Sequence, residues 1–428
     1  MHMPPPAAED SILEAEPSVQ ARLLLNRLAP EQWPVPLEAF PAGSALVGGA
    51  VRDALLNRLS ATPDLDLVVP DHALRHTRTL AQRLGGACVV LDEARDMGRL
   101  VVKGWTIDLA RREGESLEAD LQRRDYRINA IALELAPTPR LVDPSGGLND
   151  LKAGLLTAVA EQNLIDDPLR LLRGLRLAAE LDFAIADATR PLLARHHHLL
   201  PKAAPERIQA ELSKLVHAPR SARSINQLQT SGLIQPWAAS TPATNKVMAV
   251  QSIEQQTTLL KDDEREQALP LLRLTALLSD EGLQQLRFSR RQIQRCKRLR
   301  AWQQRDDGQA YAELPEDERL QLHIDLSDDL PALIVQLRAE EQQIWLNRWR
   351  NPQDRLFHPR PPINGNTLQT TLGIPPGPEL GRLIKHLAVE HAFGRLESQE
   401  AALTAAREWW QNHGNTPLET REASPRCG

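Results

Sequence analysis

Apolar residues come in short runs over the first third of the chain and give way to three- and four-residue spacing beyond about residue 150. Residues 46–47, 65–69, 88–91, 99–102, 106–109 and 131–135 read as short strands, and 51–58 and 72–84 as helices. Together these predict a small mixed-sheet domain over 31–150. After Asp150, Leu169, Leu172, Leu175 and Leu181 recur at helical steps, and Leu/Ala/Arg-rich segments continue to the end. Strands are expected to stop there. Breaks at Pro201, Pro219, 236–242 and 306–315, and a Pro/Gly-rich stretch at 359–381, divide the remainder into helical subdomains at 151–220, 221–310 and 311–428. Residues 1–30 read as an arm of little chemical content, so the expected fold class is α+β.

The most informative segment runs from 46 to 69, where Gly48-Gly49 precedes Asp64-Leu65-Asp66. Side chains alternate along a strand, so Asp64 and Asp66 project to one side while Leu65 and Leu67 face the core. Two carboxylates held side by side can share divalent cations. Glycines without Cβ atoms let backbone N–H groups approach a triphosphate, and a helix starting near Val51 adds its positive end. Arg52, with Asp53 beside it, is placed to neutralise phosphate charge. A lone Gly-Gly or a lone Asp-x-Asp would mean an ordinary turn or cap; the two on one strand–turn–helix–strand unit point to nucleotide chemistry.

That segment resembles the first motif of the class II tRNA nucleotidyltransferase and bacterial poly(A) polymerase family, within the polymerase-beta-type nucleotidyltransferases. Four more motifs follow in the family's order: Arg123-Arg-Asp-Tyr-Arg-Ile-Asn-Ala-Ile-Ala132, Asp143-Pro-Ser-Gly-Gly147 with Asp150-Leu151, Asp166-Asp-Pro-Leu-Arg-Leu-Leu-Arg173 and Glu206-Arg-Ile-Gln-Ala-Glu-Leu212. Asn364-Gly-Asn-Thr-Leu368 and Gly373 to Gly381 resemble the tail of long bacterial members. The resemblance implies head, neck, body and tail domains, and a Mg²⁺-dependent enzyme that extends the 3′ end of tRNA with CTP and, in some members, ATP. It implies Asp64 and Asp66 as catalytic metal ligands, and Arg124, Asp125 and Asn129 as ribose, phosphate or site-organising contacts. Asp108, on the neighbouring strand candidate, is either a third acid or a structural carboxylate.

Asp167 and Arg170 are three apart on an expected helix, hence on one face. A carboxylate accepts hydrogen bonds and a guanidinium only donates. Cytosine and adenine each offer an exocyclic amine beside a ring-nitrogen acceptor, so the pair mimics a Watson–Crick partner for both and rejects uracil and guanine. Arg173 repeats the family spacing. Tyr126 and Arg127 replace the usual Phe and Thr, and Asp166 a usual Glu. Between Asp108 and Arg123 only residues 109–122 intervene, where most CCA- and poly(A)-adding relatives carry a longer flexible loop. In this family the missing loop goes with enzymes that add two cytidines and stop.

Composition narrows the picture further. The chain has 428 residues, 42% of them hydrophobic and 25% charged, as in a globular protein of two to four domains. Cys88, Cys296 and Cys427 have no pairing or metal spacing, and no apolar run approaches membrane-spanning length, which predicts a reduced, cytoplasmic setting without membrane insertion. No protein partner is implied. A net charge of −5 is offset locally by Arg287, Arg290, Arg291, Arg295, Lys297, Arg298, Arg300 and Arg305, an acid-free run suited to an RNA backbone or to a solvated helix face. Ser279 stands where some relatives have the histidine of a His-Asp phosphohydrolase signature, so no hydrolase activity is expected. The triplet His196-His-His198 reads as an exposed helix face.

Overall fold

A computed structural model describes residues 12–239, 259–305, 311–360 and 362–414. The chain forms two compact units, Met1–Pro236 and Trp237–Gly428.

In the first unit the strands are β1 (Ala45–Val47), β2 (Leu65–Val69), β3 (Ala87–Asp92), β4 (Met97–Val102), β5 (Trp105–Arg111), β6 (Ala132–Glu134) and β7 (Arg140–Val142). They form one sheet in the order β3-β4-β5-β2-β1-β6-β7, antiparallel except for β2 against β5. The six expected strands are present; β7 is three residues long, too short to show a period. One face of the sheet is covered by α1 (Pro17–Leu28), α2 (Gly49–Leu55) and α3 (Ala73–Leu84). The last turns Ala73, Leu74, Thr77, Leu80 and Ala81 inward, at the spacing of a single helix face. The Asp96 carboxylate caps α3 by accepting from the Ala73 and Leu74 N–H groups at 2.9 and 2.8 Å. Leu24 and Leu28 of α1 are buried, and Arg27 Nη1 donates to the Ala54 carbonyl at 3.2 Å, which ties this segment to α2. Short α4 (Leu117–Leu121) packs on the other face, where Leu121 joins Ala45, Val47, Val68 and Ala132 in a separate core.

Beyond the sheet come α5 (Gly147–Ala153), α6 (Glu161–Asp166), α7 (Leu169–Leu181), α8 (Arg190–His196), α9 (Pro205–His217) and α10 (Ala222–Thr230). Strands do not stop at Asp150, contrary to the sequence expectation: Leu155–Leu156 and Ala184–Ile185 pair in parallel. Two residues apiece carry no readable alternation. α7 is the centre of this region, packed by α9 and α10, and is apolar over most of its circumference.

The described part of the second unit is helical, with Asp262–Leu277, Asp280–Gln285, Arg290–Gln303, Glu316–Leu326 and Ala339–Trp349 among its helices. Towards its end Gly365–Leu372, Pro378–Ala392 and Gln399–His413 enclose a core of Leu368, Leu383, Leu387, Ala402, Ala406 and Trp410. The Asn364 side chain accepts from Thr367 N–H at 2.8 Å and caps the first of these helices. No described helix is long and apolar enough to cross a membrane.

Candidate active site

The centre of the site is set by register. Asp66 on β2 lies opposite Asp108 on β5, and Asp108 opposite Arg99 on β4, so the three form one row across the sheet. Asp64 directly precedes β2 and is exposed, while Leu65 and Leu67 are buried beneath, as the alternation requires. Arg99 grips Asp108 through Nε and Nη2, both at 2.8 Å, a bidentate pair that raises the pKa of the guanidinium. Burial, then the charges of Asp108 and Asp64, push the Asp66 carboxyl up to about 6, against the pull of Arg124 and Arg99. An all-oxygen set whose acids repel one another suits a hard divalent cation. Among the described residues no three such side chains stand at ligand spacing, and Asp108 is taken up by Arg99. Asp64 and Asp66 are held by no such ion pair among the described residues and are the candidate donors.

Gly48 has φ +73° and precedes the first turn of α2, which begins two residues earlier than expected. A Cβ there would sit 3.2 Å from Asp66 Oδ2 and 3.9 Å from Arg124 Nη1, so the bare backbone is part of the acid pocket. Gly49 is an ordinary helical residue. Arg52, expected beside phosphate, is buried, donates to both Asp53 oxygens at 2.8 and 3.0 Å, and reaches Asn129 Oδ1 at 2.8 Å. These bonds use three of its five N–H groups and tie α2 to the second motif. Arg124, bonded to Asp120 Oδ2 at 3.1 Å, is the cation beside the glycine turn.

From Arg52 a polar network runs into the helical region. Asn129 Nδ2 donates to Asp125 at 3.2 Å, Asp125 accepts from Arg173 at 3.3 Å, and Glu211 on α9 joins Arg173 to Arg176 at 3.3 and 2.5 Å. Burial alone would raise the Asp125 pKa, but Arg173, the Tyr126 N–H, Asn129 and Arg170 together hold it below the usual carboxylate range. Tyr126 is fully buried and its hydroxyl donates to the Arg170 carbonyl at 2.9 Å.

Asp167 does not share a helix face with Arg170, contrary to the sequence expectation. It lies in extended conformation between α6 and α7, where Pro168 interrupts the helix, and accepts from Leu169 N–H at 3.3 Å and Arg207 Nη2 at 3.1 Å. Arg170 Nη1 donates to the Arg123 and Asn163 carbonyls at 2.8 and 3.0 Å. Asn163 in turn donates to the Gln122 and Arg124 carbonyls, both at 2.8 Å, and so ties the end of α6 to the second motif.

In the second unit, Arg287, Arg290, Arg291, Lys297 and Arg298 are exposed. Arg295 is instead held by Asp329, the closest contact being 2.6 Å, and Arg300 by Asp280. Ser279 caps the helix Asp280–Gln285 by accepting from Gly282 N–H at 2.9 Å. His196, expected on an exposed face, is largely buried and lies 2.6 Å from Glu161 Oε1. Cys88 is half-buried and Cys296 buried, and Cys427 lies outside the described residues.

Sequence reading passed over Arg99, Asp120, Asn163, Arg207 and Glu211. Arg207 and Glu211 lie inside the Glu206–Leu212 motif, and pairing β4 with β5 as a hairpin puts Arg99 opposite Asp108; Asp120 and Asn163 left no signal.

The chain matches the family described as "Poly A polymerase head domain" over residues 44–157 and that described as "Probable RNA and SrmB- binding site of polymerase A" over 182–244. It is 34% identical over 409 residues to the CC-adding tRNA nucleotidyltransferase of Synechocystis sp., covering 88% of this chain and 96% of that one. It is 42% identical over 204 residues to the A-adding tRNA nucleotidyltransferase of Deinococcus radiodurans, 46% of each chain. The Thermotoga maritima CCA-adding enzyme complexed with tRNA has the same fold, with a TM-score of 0.66 and 24% identity over 92% of this chain and 97% of that one. Five ordered motifs, this sheet with its acidic row, and 34% identity along nearly the whole of both chains lead to one conclusion: the protein is an enzyme of the class II tRNA nucleotidyltransferase family.

Proposed function

We propose that this enzyme adds two cytidines to the 3′ end of tRNA, using CTP and releasing pyrophosphate, with Mg²⁺ held by Asp64 and Asp66. In the domain terms of the family, residues 31–150 are the head, 151–220 the neck, 221–310 the body and 311–428 the tail. The family works with a divalent metal. When bound here, Mg²⁺ would lower the pKa of the attacking hydroxyl and stabilise the leaving oxygens. The chain's own residues bind and choose. Gly48 leaves room for triphosphate oxygens beside Arg124, and the Asp125–Arg173–Glu211 network holds the second motif against α7. Asp167 and Arg170 present an acceptor and a donor to the base, with Arg207 and two carbonyls as their partners until it arrives.

The observation that carries the cytidine reading is the segment after Asp108. It folds as a tight unit: Asp120 accepts from Glu113 N–H at 2.8 Å, Arg123 donates to Glu113 at 2.9 Å, and Ser116 caps α4. Nothing in it is long enough to reorganise the base pocket for ATP. Full CCA addition and A addition are the rival readings, the second favoured by the identity with the Deinococcus enzyme over 204 residues.

The decisive experiment is a single-nucleotide-resolution extension assay with CTP and ATP, offered singly and together, on tRNAs lacking CCA and ending in CC. Two cytidines on the first and nothing on the second support CC addition. Adenosine on both would make this a full CCA enzyme. An Asp64→Ala variant that kept full incorporation would remove the mechanism.

A further inference from the structure

We propose that the helical unit carries a second ligand site, one that takes a nucleoside phosphate, at the aromatic pocket and arginine cleft between the helices Glu316–Leu326 and Ala339–Trp349. The pocket has a volume of about 280 Å³ and is walled by Tyr311, His323, Trp345 and Phe357, with Ile344 at its mouth. It opens beside a cleft of about 480 Å³, and the two share Arg319 and Arg348. Flat rings of a base suit the first space, and aromatic stacking contributes about 1–3 kcal/mol per base.

The cleft supplies the complementary charge. Arg319, Arg348 and Arg355 line it against a single carboxylate, Asp354, and that acid is occupied by Arg348 at 2.8 Å. The Arg319 and Arg355 guanidinium groups have no carboxylate partner among the described residues, and Arg319 lies over the Phe393 ring at 5.1 Å. Guanidinium forks left unneutralised in a concave site match phosphate oxygens.

A further polar group lies in the pocket wall itself. His323 is 2% exposed, and its Nδ1 has no hydrogen-bond partner. Buried polar atoms in folded proteins are nearly always satisfied, so this nitrogen, in a residue of the pocket wall, is an unmet hydrogen-bonding capacity next to the site. Burial and the charges of Arg348 and Arg319 keep the imidazole neutral. The nucleotide has two possible sources, a free nucleoside monophosphate or an unstacked unit of an RNA strand.

Photocrosslinking of the full chain tests this, with 8-azido-AMP as one probe and a 5′-phosphorylated azido-triadenylate as the other, followed by peptide mapping. The expected adduct falls on residues 339–349. It should drop about tenfold in Arg319→Ala/Arg355→Ala, the loss expected for charge-assisted contacts. Ile344→Glu, at a side chain 60% exposed, keeps the fold and should reduce the adduct through repulsion. Competition by AMP identifies the free nucleotide, and competition by triadenylate alone an RNA unit; either supports the site. No adduct on that helix with either probe, an adduct unchanged in Ile344→Glu, or adenosine competing as well as AMP would overturn it.

Discussion

Gly174 shows how little room single residues have at this site. A Cβ added there would meet the buried Tyr126 hydroxyl at 2.0 Å, so Gly174→Ala must displace either the ring or α7. It should destabilise by about 1–3 kcal/mol in urea unfolding, and adding Tyr126→Phe should restore part of that, since the oxygen is the nearest atom. If the double variant were no more stable than the single one, the clash would lie elsewhere. Tyr126→Phe alone loses one bond, to the Arg170 carbonyl, and should cost about 1 kcal/mol while sparing incorporation. Asp167→Ala and Arg170→Ala should each lower the preference for CTP over UTP by at least about tenfold, measured as a ratio of kcat/KM values. Unchanged discrimination would refute their role at the base.

Among the elements, the helix Arg290–Gln303 separates two kinds of arginine that one charge run had merged. Exposed Arg290, Arg291, Lys297 and Arg298 are free to meet phosphates, and replacing one that does so should weaken RNA binding across sequences and reduce the salt slope by about 1. Arg295, gripped by Asp329, should instead lose about 2 kcal/mol of stability on change to Ala, with the salt slope unaltered. Titration of RNA affinity against salt, alongside denaturant melts, distinguishes them. Sheet elements were legible because alternation and turn residues agree along 46–109. The α6–α7 junction was not: Asp167-Pro168 reads equally as a helical first turn, and only the φ of −131° at Asp167 shows the interruption.

For the molecule as a whole, His323 gives a pH signature. Burial, then the charge of Arg348, pushes its pKa down to about 3; Arg319 and His358 add to this and Asp354 opposes it. A folded-state pKa below the unfolded value near 6.5 means that the unfolded chain takes up the proton first as pH falls. Stability from this group is therefore complete above about pH 6.5 and is lost progressively towards pH 3, by about 2 kcal/mol at pH 5. Thermal unfolding followed between pH 7 and pH 5 should show that decline, and His323→Phe should flatten it. An equal decline in the variant would assign the effect to other groups.

What the sequence determined by itself was the family, the sheet domain and the place of Asp64 and Asp66 at the start of β2, because those rest on local facts: period-two alternation, glycines before a helix, and two carboxylates two apart where a strand begins. The long-range polar chemistry was decided only by the tertiary structure. Arg52 is 77 residues from Asn129, Arg173 38 from Glu211 and Arg207 40 from Asp167. Such pairs have no spacing in the chain to reveal them. A guanidinium buried by packing takes the nearest carboxylate or amide oxygen, since leaving a buried charge unpaired costs more than any local preference supplies. Folding therefore tied Arg52 to Asp53 and Asn129 and placed Arg124 beside the glycine turn.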